Sequence, residues 1–185
     1  DTLLYADKGW PEIERVHAAK ITLLDKHVGR LLEKLKEINQ LDNTLILFTS
    51  DNGPHYAKDG HQLEFFDSNG KFKGGKRDLY EGGIRVPLIA YWNQNIASGT
   101  VSNHISSFQD IMPTFSEIIG FENSNDTDGI SFLPTLLSKE QEKHKFLNWE
   151  FQLSGWFQTI PNGGFRQSVR MENWKAVRYN LNSDI

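Results

Sequence analysis

Between Ile21 and Ile38 the apolar residues Ile21, Leu24, Val28, Leu31, Leu35 and Ile38 recur every three or four positions. That is the period of one helix face, and Lys26, Arg30, Glu33, Lys34, Lys36 and Glu37 fall off it. Trp10-Pro11-Glu12 supplies a start, because proline is tolerated in a first turn and an acid there sits near the positive end of the helix dipole. The pattern predicts an amphipathic helix covering a sheet. His17, Asp25 and His27 lie inside it and read as solvated or locally hydrogen-bonded residues without chemistry.

After a polar turn from Asn39 to Asn43, the run TLILFTS (residues 44–50) is apolar and short enough for a strand buried on both faces. Helix, short loop and strand make half of a βαβ unit. A second strand is expected in IRVPLIAYW (residues 84–92), with Pro87 placing it near an edge or at a bulge. Residues 56–73 carry little periodicity and read as a long loop. Further on, Asp110 precedes IMPTFSEIIG, either as the cap of a helix that takes Pro113 in its first turn and ends at Gly120, or as a ligand. Residues 133–137 begin a short helix that fades into KEQEKHK (residues 139–145), a charge run that reads as a solvated face.

From Phe146 the texture changes to alternating aromatic-rich runs, FLNWEF, FRQSVRM and WKAVRYN, separated by Pro161-Asn162-Gly163-Gly164 and Glu172-Asn173. These predict an antiparallel meander. The expected organisation is an α/β part over residues 1–140, followed by a small antiparallel β subdomain over residues 141–185 that the chain end truncates. The chain opens on Asp1 rather than Met and is expected to be a piece of a longer polypeptide.

Composition narrows the function. The 185 residues are 38% hydrophobic and 12% aromatic, enough for one core, or one core plus a small satellite. A net charge of −4 without a clustered basic stripe argues against a nucleic-acid surface. With no cysteine, zinc-thiolate sites and cysteine nucleophiles are excluded from these residues. No apolar run approaches the ~18 residues of a membrane span.

The candidate chemistry lies where the first strand ends, at Asp51-Asn52-Gly53-Pro54-His55. Binding crevices of open α/β sheets lie outside the carboxyl ends of strands. Asp51 and Asn52 offer hard oxygens suited to Ca²⁺ or Mg²⁺, and Gly53 permits the turn that aims them, although Asp-Asn-Gly is also a common plain turn. Calcium takes about six to eight oxygens, so further ligands must come from the loop acids Asp59, Glu64 and Asp67 or from chain outside these residues. Lys76, bracketed by Gly74-Gly75 and Gly82-Gly83, reads either as a clamp on a phosphoryl or sulfuryl oxygen or as part of a flexible basic loop.

Together these segments resemble a known family. TSDNG at a strand end, a loop, GxK followed by YEGGIRVP, then QDIMPTFSEIIG, DGISFLPTLL and the R-x-E-N-W-K pair at Arg170 to Lys175 are similar to the C-terminal half of the sulfatases, within the alkaline-phosphatase-like superfamily. The resemblance implies an α/β fold, part of a mixed sheet flanked by helices, followed by the small antiparallel sheet. It implies that Asp51 and Asn52 bind a catalytic Ca²⁺ and that Lys76 contacts the sulfate near the leaving oxygen. Gly82, Gly83 and Arg85 would support that motif, and His55 is a candidate substrate-side or proton-transfer residue. The implied substrate is a sulfate ester, a sulfated glycan ahead of an aryl sulfate, and the implied location is periplasmic or secreted. Tyr56, Phe65, Phe66, Trp156 and Phe157 either pack on sugar rings or belong to the core.

The same resemblance calls for a formylglycine nucleophile made from the Cys or Ser of a C/S-x-P-x-R motif. The residues two places before the prolines are Gly9, Asn52, Arg85, Ile111, Phe132 and Thr159, so that motif is not in these residues. A metal and a lysine neutralise charge but supply no attacking oxygen, and the piece alone is expected to be inactive. Two alternatives stand beside this reading: a phosphatase or phosphodiesterase of the same superfamily, which needs zinc-type His/Asp ligands, and a non-catalytic metal- or anion-binding module.

Overall fold

The computed structural model describes residues 2–55, 60–121, 127–152 and 164–179, which fall into two compact units, Asp1–Ile89 and Ala90–Ile185. In the first unit, helix α1 runs Glu12–Glu37, with Pro11 O accepting from the amides of Glu14 and Arg15 at 3.1 Å each. Acids in the first turn (Glu12, Glu14) and lysines in the last (Lys34, Lys36) complement its dipole. A 3-10 stretch, Thr2–Lys8, folds back on it: the Tyr5 hydroxyl lies 2.6 Å from Thr22 Oγ1, and the Tyr5 ring stacks on Trp10 at 5.6 Å. Trp10 in turn meets Phe65 and Phe66 edge-on at 5.8 and 5.1 Å. Phe65 and Phe66 therefore belong to this aromatic cluster, whereas Tyr56, Trp156 and Phe157 lie outside the described residues.

Two expectations change here. The stripe of Ile21, Leu24, Leu31 and Ile38 is exposed, Leu31 by 67%, and does not cover a sheet. The face of α1 that is buried is its N-terminal one, through Glu14, Ala18 and Ala19. Strand β1 is only Ile46–Thr49 and half-buried rather than enclosed on both faces, because it pairs in a sheet two strands wide. Its partner β2 is Leu88–Tyr91 and starts four residues later than the apolar run suggests. Glu81–Ile84 instead makes one helical turn, α2, closed by Arg85 N–H donating to Glu81 O at 2.7 Å. Thr49 Oγ1 donates to Pro87 O at 2.8 Å and sets the two strands' ends together.

In the second unit, the Asp110 side chain does not cap the helix that follows it. Ser107 and Asp110 form a capping box around the 3-10 turn Phe108–Asp110 that leads into α3, Ile111–Ile118. The helix stops at Gly120, whose φ of 66° lets Phe121 N–H reach back to Ser116 O at 2.9 Å. Thr114 Oγ1 donates to Asp110 O and accepts from Phe132 N–H, joining α3 to α4, Leu133–Leu136.

Residues 139–145 are not simply a solvated face. His144 is largely buried with Nε2 2.8 Å from Asp110 Oδ1, because the buried carboxylate needs donors, and Gln141 separately bonds Thr135 and the Ser131 carbonyl. The meander forms as the alternation predicts: β3 Leu147–Gln152, β4 Phe165–Met171 and β5 Trp174–Tyr179, antiparallel, with Trp149 opposite Ser168 and Val169 opposite Ala176.

Candidate active site

The end of β1 is locked to the glycine turn by backbone alone. Gly53 N–H donates to Gly83 O at 2.8 Å, and Lys76 N–H donates to Pro54 O at 2.8 Å. Gly82 N–H reaches Lys73 O at 2.8 Å, and Asn69 Nδ2 donates to both Phe72 O and Gly74 O. The contacts leave no room for side chains: a Cβ on Gly53 would lie 1.8 Å from Gly82 O, one on Gly82 2.0 Å from Gly74 O, and one on Gly83 2.1 Å from Asp78 O. Glycines 29 and 30 positions apart thus hold the Asp51–His55 segment against the turn that carries Lys76.

Around this lock the charges are mostly positive. Burial, then Arg77, Lys76 and His61, depress the pKa of His55 and favour its neutral imidazole. Arg85 braces the turn, with its guanidinium 4.7 Å above the Phe72 ring and 3.7 Å from Glu81. Lys73 lies 4.1 Å over the Tyr80 ring.

Asp51 and Asn52 contribute oxygens of the hard type that Ca²⁺ or Mg²⁺ takes, and among the described residues no hydrogen bond or ion pair engages these two side chains. Among the described residues there is also no group of three or more His, Cys, Asp or Glu side chains able to hold a metal. Asp59 lies outside the described residues. The donors present fit a hard cation as one part of its shell.

The sulfatase family profile matches residues 7–121, more than half of the chain. The chain belongs to the sulfatase family. A second profile, the C-terminal region of N-sulphoglucosamine sulphohydrolase, matches residues 69–185 of this sulfatase chain. Steryl-sulfatase of Mus musculus is 34% identical over 98% of the chain, which spans 29% of that relative. Among solved structures, Ps i-CgsB in complex with k-i-k-neocarrahexaose superposes with a TM-score of 0.75 at 27% identity, over 97% of this chain and 37% of that one. BT4656 in complex with its substrate D-glucosamine-2-N,6-O-disulfate gives 0.70 at 27% identity, over 94% and 32%. The sulfatase chain therefore spans about a third of these relatives, and its fold is the alkaline-phosphatase-like one.

Sequence reasoning passed over one cluster in this sulfatase chain. Glu14, 1% exposed on α1, accepts from His61 Nδ1 at 2.5 Å and from Gln62 N–H at 2.8 Å, and the His61 ring stacks on His17 at 3.7 Å. Burial works against the charge on Glu14, yet the Gln62 amide and His61 outweigh it and hold the carboxyl below its ordinary range. Burial and then His61 depress His17. The available signal was Glu14 itself, an acid on the face of α1 shared with Ala18.

Proposed function

We propose that this chain forms the metal-and-clamp side of a sulfatase active site that hydrolyses sulfate esters of glycans. Asp51 and Asn52 would hold Ca²⁺ together with ligands outside the described residues. When bound, the ion would supply a positive charge opposite the sulfuryl oxygens. Lys76 holds its ammonium toward the sulfate group and stabilises the charge that develops on the leaving oxygen. His55, whose neutral form is favoured by partial desolvation and by Arg77 and Lys76, suits accepting a proton or a hydroxyl hydrogen bond on the substrate side. The attacking oxygen would be supplied by a formylglycine on sequence outside these residues, and without it the 185 residues alone would turn nothing over.

The observation that carries this reading is the hydrogen bond from Lys76 N–H to Pro54 O beside the Gly53–Gly83 lock, which ties the backbone of Lys76 to the chain two residues beyond Asn52. Sulfated glycans are favoured as the substrate class because the two neighbouring structures hold sugars, one of them a glucosamine disulfate. The periplasm or the cell exterior is the proposed compartment, where such glycans are met.

The test offers the full-length polypeptide a glucosamine 6-O-sulfate and the matching phosphate ester, with Ca²⁺ and with a chelator. Calcium-dependent release of sulfate supports the reading, and hydrolysis of the phosphate ester alone overturns it.

A further inference from the structure

The Glu14 cluster bonds none of Asp51, Asn52 and Lys76, yet it holds the segment that leads to Lys76. Both carboxylate oxygens of Glu14 are spent on two consecutive residues, Oε2 on His61 Nδ1 and Oε1 on the Gln62 amide. From Gln62 the chain runs to Lys76 through tight turns: Phe65 N–H to Gln62 O at 3.1 Å, Ser68 N–H to Leu63 O at 3.1 Å, Phe72 N–H to Asn69 O at 3.1 Å, and Asn69 Nδ2 to Gly74 O at 3.0 Å. The Lys76 amide then closes on Pro54 O. One end of this path is therefore fixed on α1 and the other on the end of β1.

We infer that Glu14 and His61 are positioning residues for the Lys76 side of the site, a role that rests on the sulfatase reading above. The pair is specific in its chemistry. A carboxylate has acceptors for both donors, whereas the amide of Gln in the same place offers one acceptor, and its N–H meets the second donor unless the imidazole moves its proton to Nε2, which is buried without a partner among the described residues. Tied to Glu14 through Nδ1, His61 is also fixed in ring orientation, and it stacks on His17 at 3.7 Å with Phe66 beside both rings, 5.9 Å from His61 and 6.1 Å from His17. Its Nε2 is buried and meets no partner among the described residues, so the imidazole is held by one hydrogen bond and its stacking. Any loosening at Glu14 is passed along residues 61–76 rather than absorbed locally. Misplacing a catalytic group by about 1 Å costs about 100-fold in rate.

The test uses the full-length polypeptide carrying Glu14→Gln, His61→Asn or His61→Phe. His61→Asn keeps an amide N–H near the position of Nδ1; His61→Phe keeps the ring stack and loses the donor. The expected results are faster hydrogen exchange over residues 61–66 in Glu14→Gln and kcat on a sulfated glucosamine lowered about 10- to 100-fold, with KM within about twofold. His61→Asn should recover most of the rate and His61→Phe should not. Unchanged exchange in Glu14→Gln overturns the inference, as does faster exchange with an unchanged kcat, or equal activity of the two His61 variants. If the unsubstituted enzyme hydrolyses no sulfate ester, the sulfatase reading falls, and faster exchange over 61–66 in Glu14→Gln still supports the clamp on this segment.

Discussion

Gly53 and Gly82 meet backbone to backbone: a Cβ on Gly53 would stand 1.8 Å from the Gly82 carbonyl oxygen, a separation that no side-chain adjustment relieves. Gly53→Ala must push the end of β1 away from the glycine turn, and overpacking of this kind costs about 1–3 kcal/mol. Gly29→Ala is the control, since nothing lies within 4 Å of its Cβ position on α1. That change should add about 0.5–1 kcal/mol of stability. Urea denaturation of the two variants checks both signs, and a neutral Gly53→Ala would contradict the close approach.

In the second unit, Asp110 is 0% exposed and accepts from Ser107 N–H at 2.7 Å, Ile130 N–H at 2.9 Å and His144 Nε2 at 2.8 Å. Asp110→Ala leaves these donors buried without an acceptor. Each orphaned group costs about 1–3 kcal/mol, so the urea midpoint should fall by an amount equivalent to at least about 2 kcal/mol. A loss near zero would show that Asp110 is dispensable to this corner.

Acid should weaken the fold. His17 and His104 both have pKa values depressed below the ordinary 6.5, first by burial, with Asp110 partly opposing the shift at His104 and Glu14 at His17. The unfolded chain therefore takes up these protons first as pH falls, so stability is full above about 6.5 and declines below it. Glu14, depressed below 4.5, adds a loss at lower pH of the same sign. Melting temperatures at pH 7.5 and pH 5.5 check this: a lower value at pH 5.5 is expected, with a flatter dependence in His104→Gln, and a rising one would contradict it.

Much of the C-terminal half was legible in the sequence, because alternating aromatics between turn residues leave a strand few alternatives; Phe165–Met171 forms as β4 over the run that predicts it. The stop at Gly120 was legible too, since it rests on local backbone chemistry, whereas the Asp110 carboxylate bonds Ser107, Ile130 and His144 instead of capping α3. Burial was not. The stripe on α1 and the run around β1 have the composition of enclosed elements, yet Leu31 and Phe48 are exposed in this chain, and periodicity reports which face is apolar without saying what lies on it.

The motif at Asp51 and Lys76 was readable as a pair of sites, while the joining of their two segments depends on glycine contacts across 29 and 30 positions. Glu14, His61 and His144 were missed because their partners lie 47, 47 and 34 residues away, and nothing in the local pattern marks a buried ion pair.

Lys76→Ala in the full-length polypeptide should lower kcat by about 10²–10³, the scale for removing a preorganised charge-stabilising group. A change confined to KM would make Lys76 a binding residue instead. Steady-state kinetics on the glucosamine 6-O-sulfate separates the two.

The most direct measurement is the calcium dependence of sulfate release by the full-length polypeptide with and without Asp51→Ala. The account predicts that the unsubstituted enzyme loses its activity to a chelator and regains it with Ca²⁺, and that Asp51→Ala has no calcium-dependent activity at any ion concentration. Turnover by Asp51→Ala near that of the unsubstituted enzyme would contradict the assignment of the β1 end as the metal side of the site.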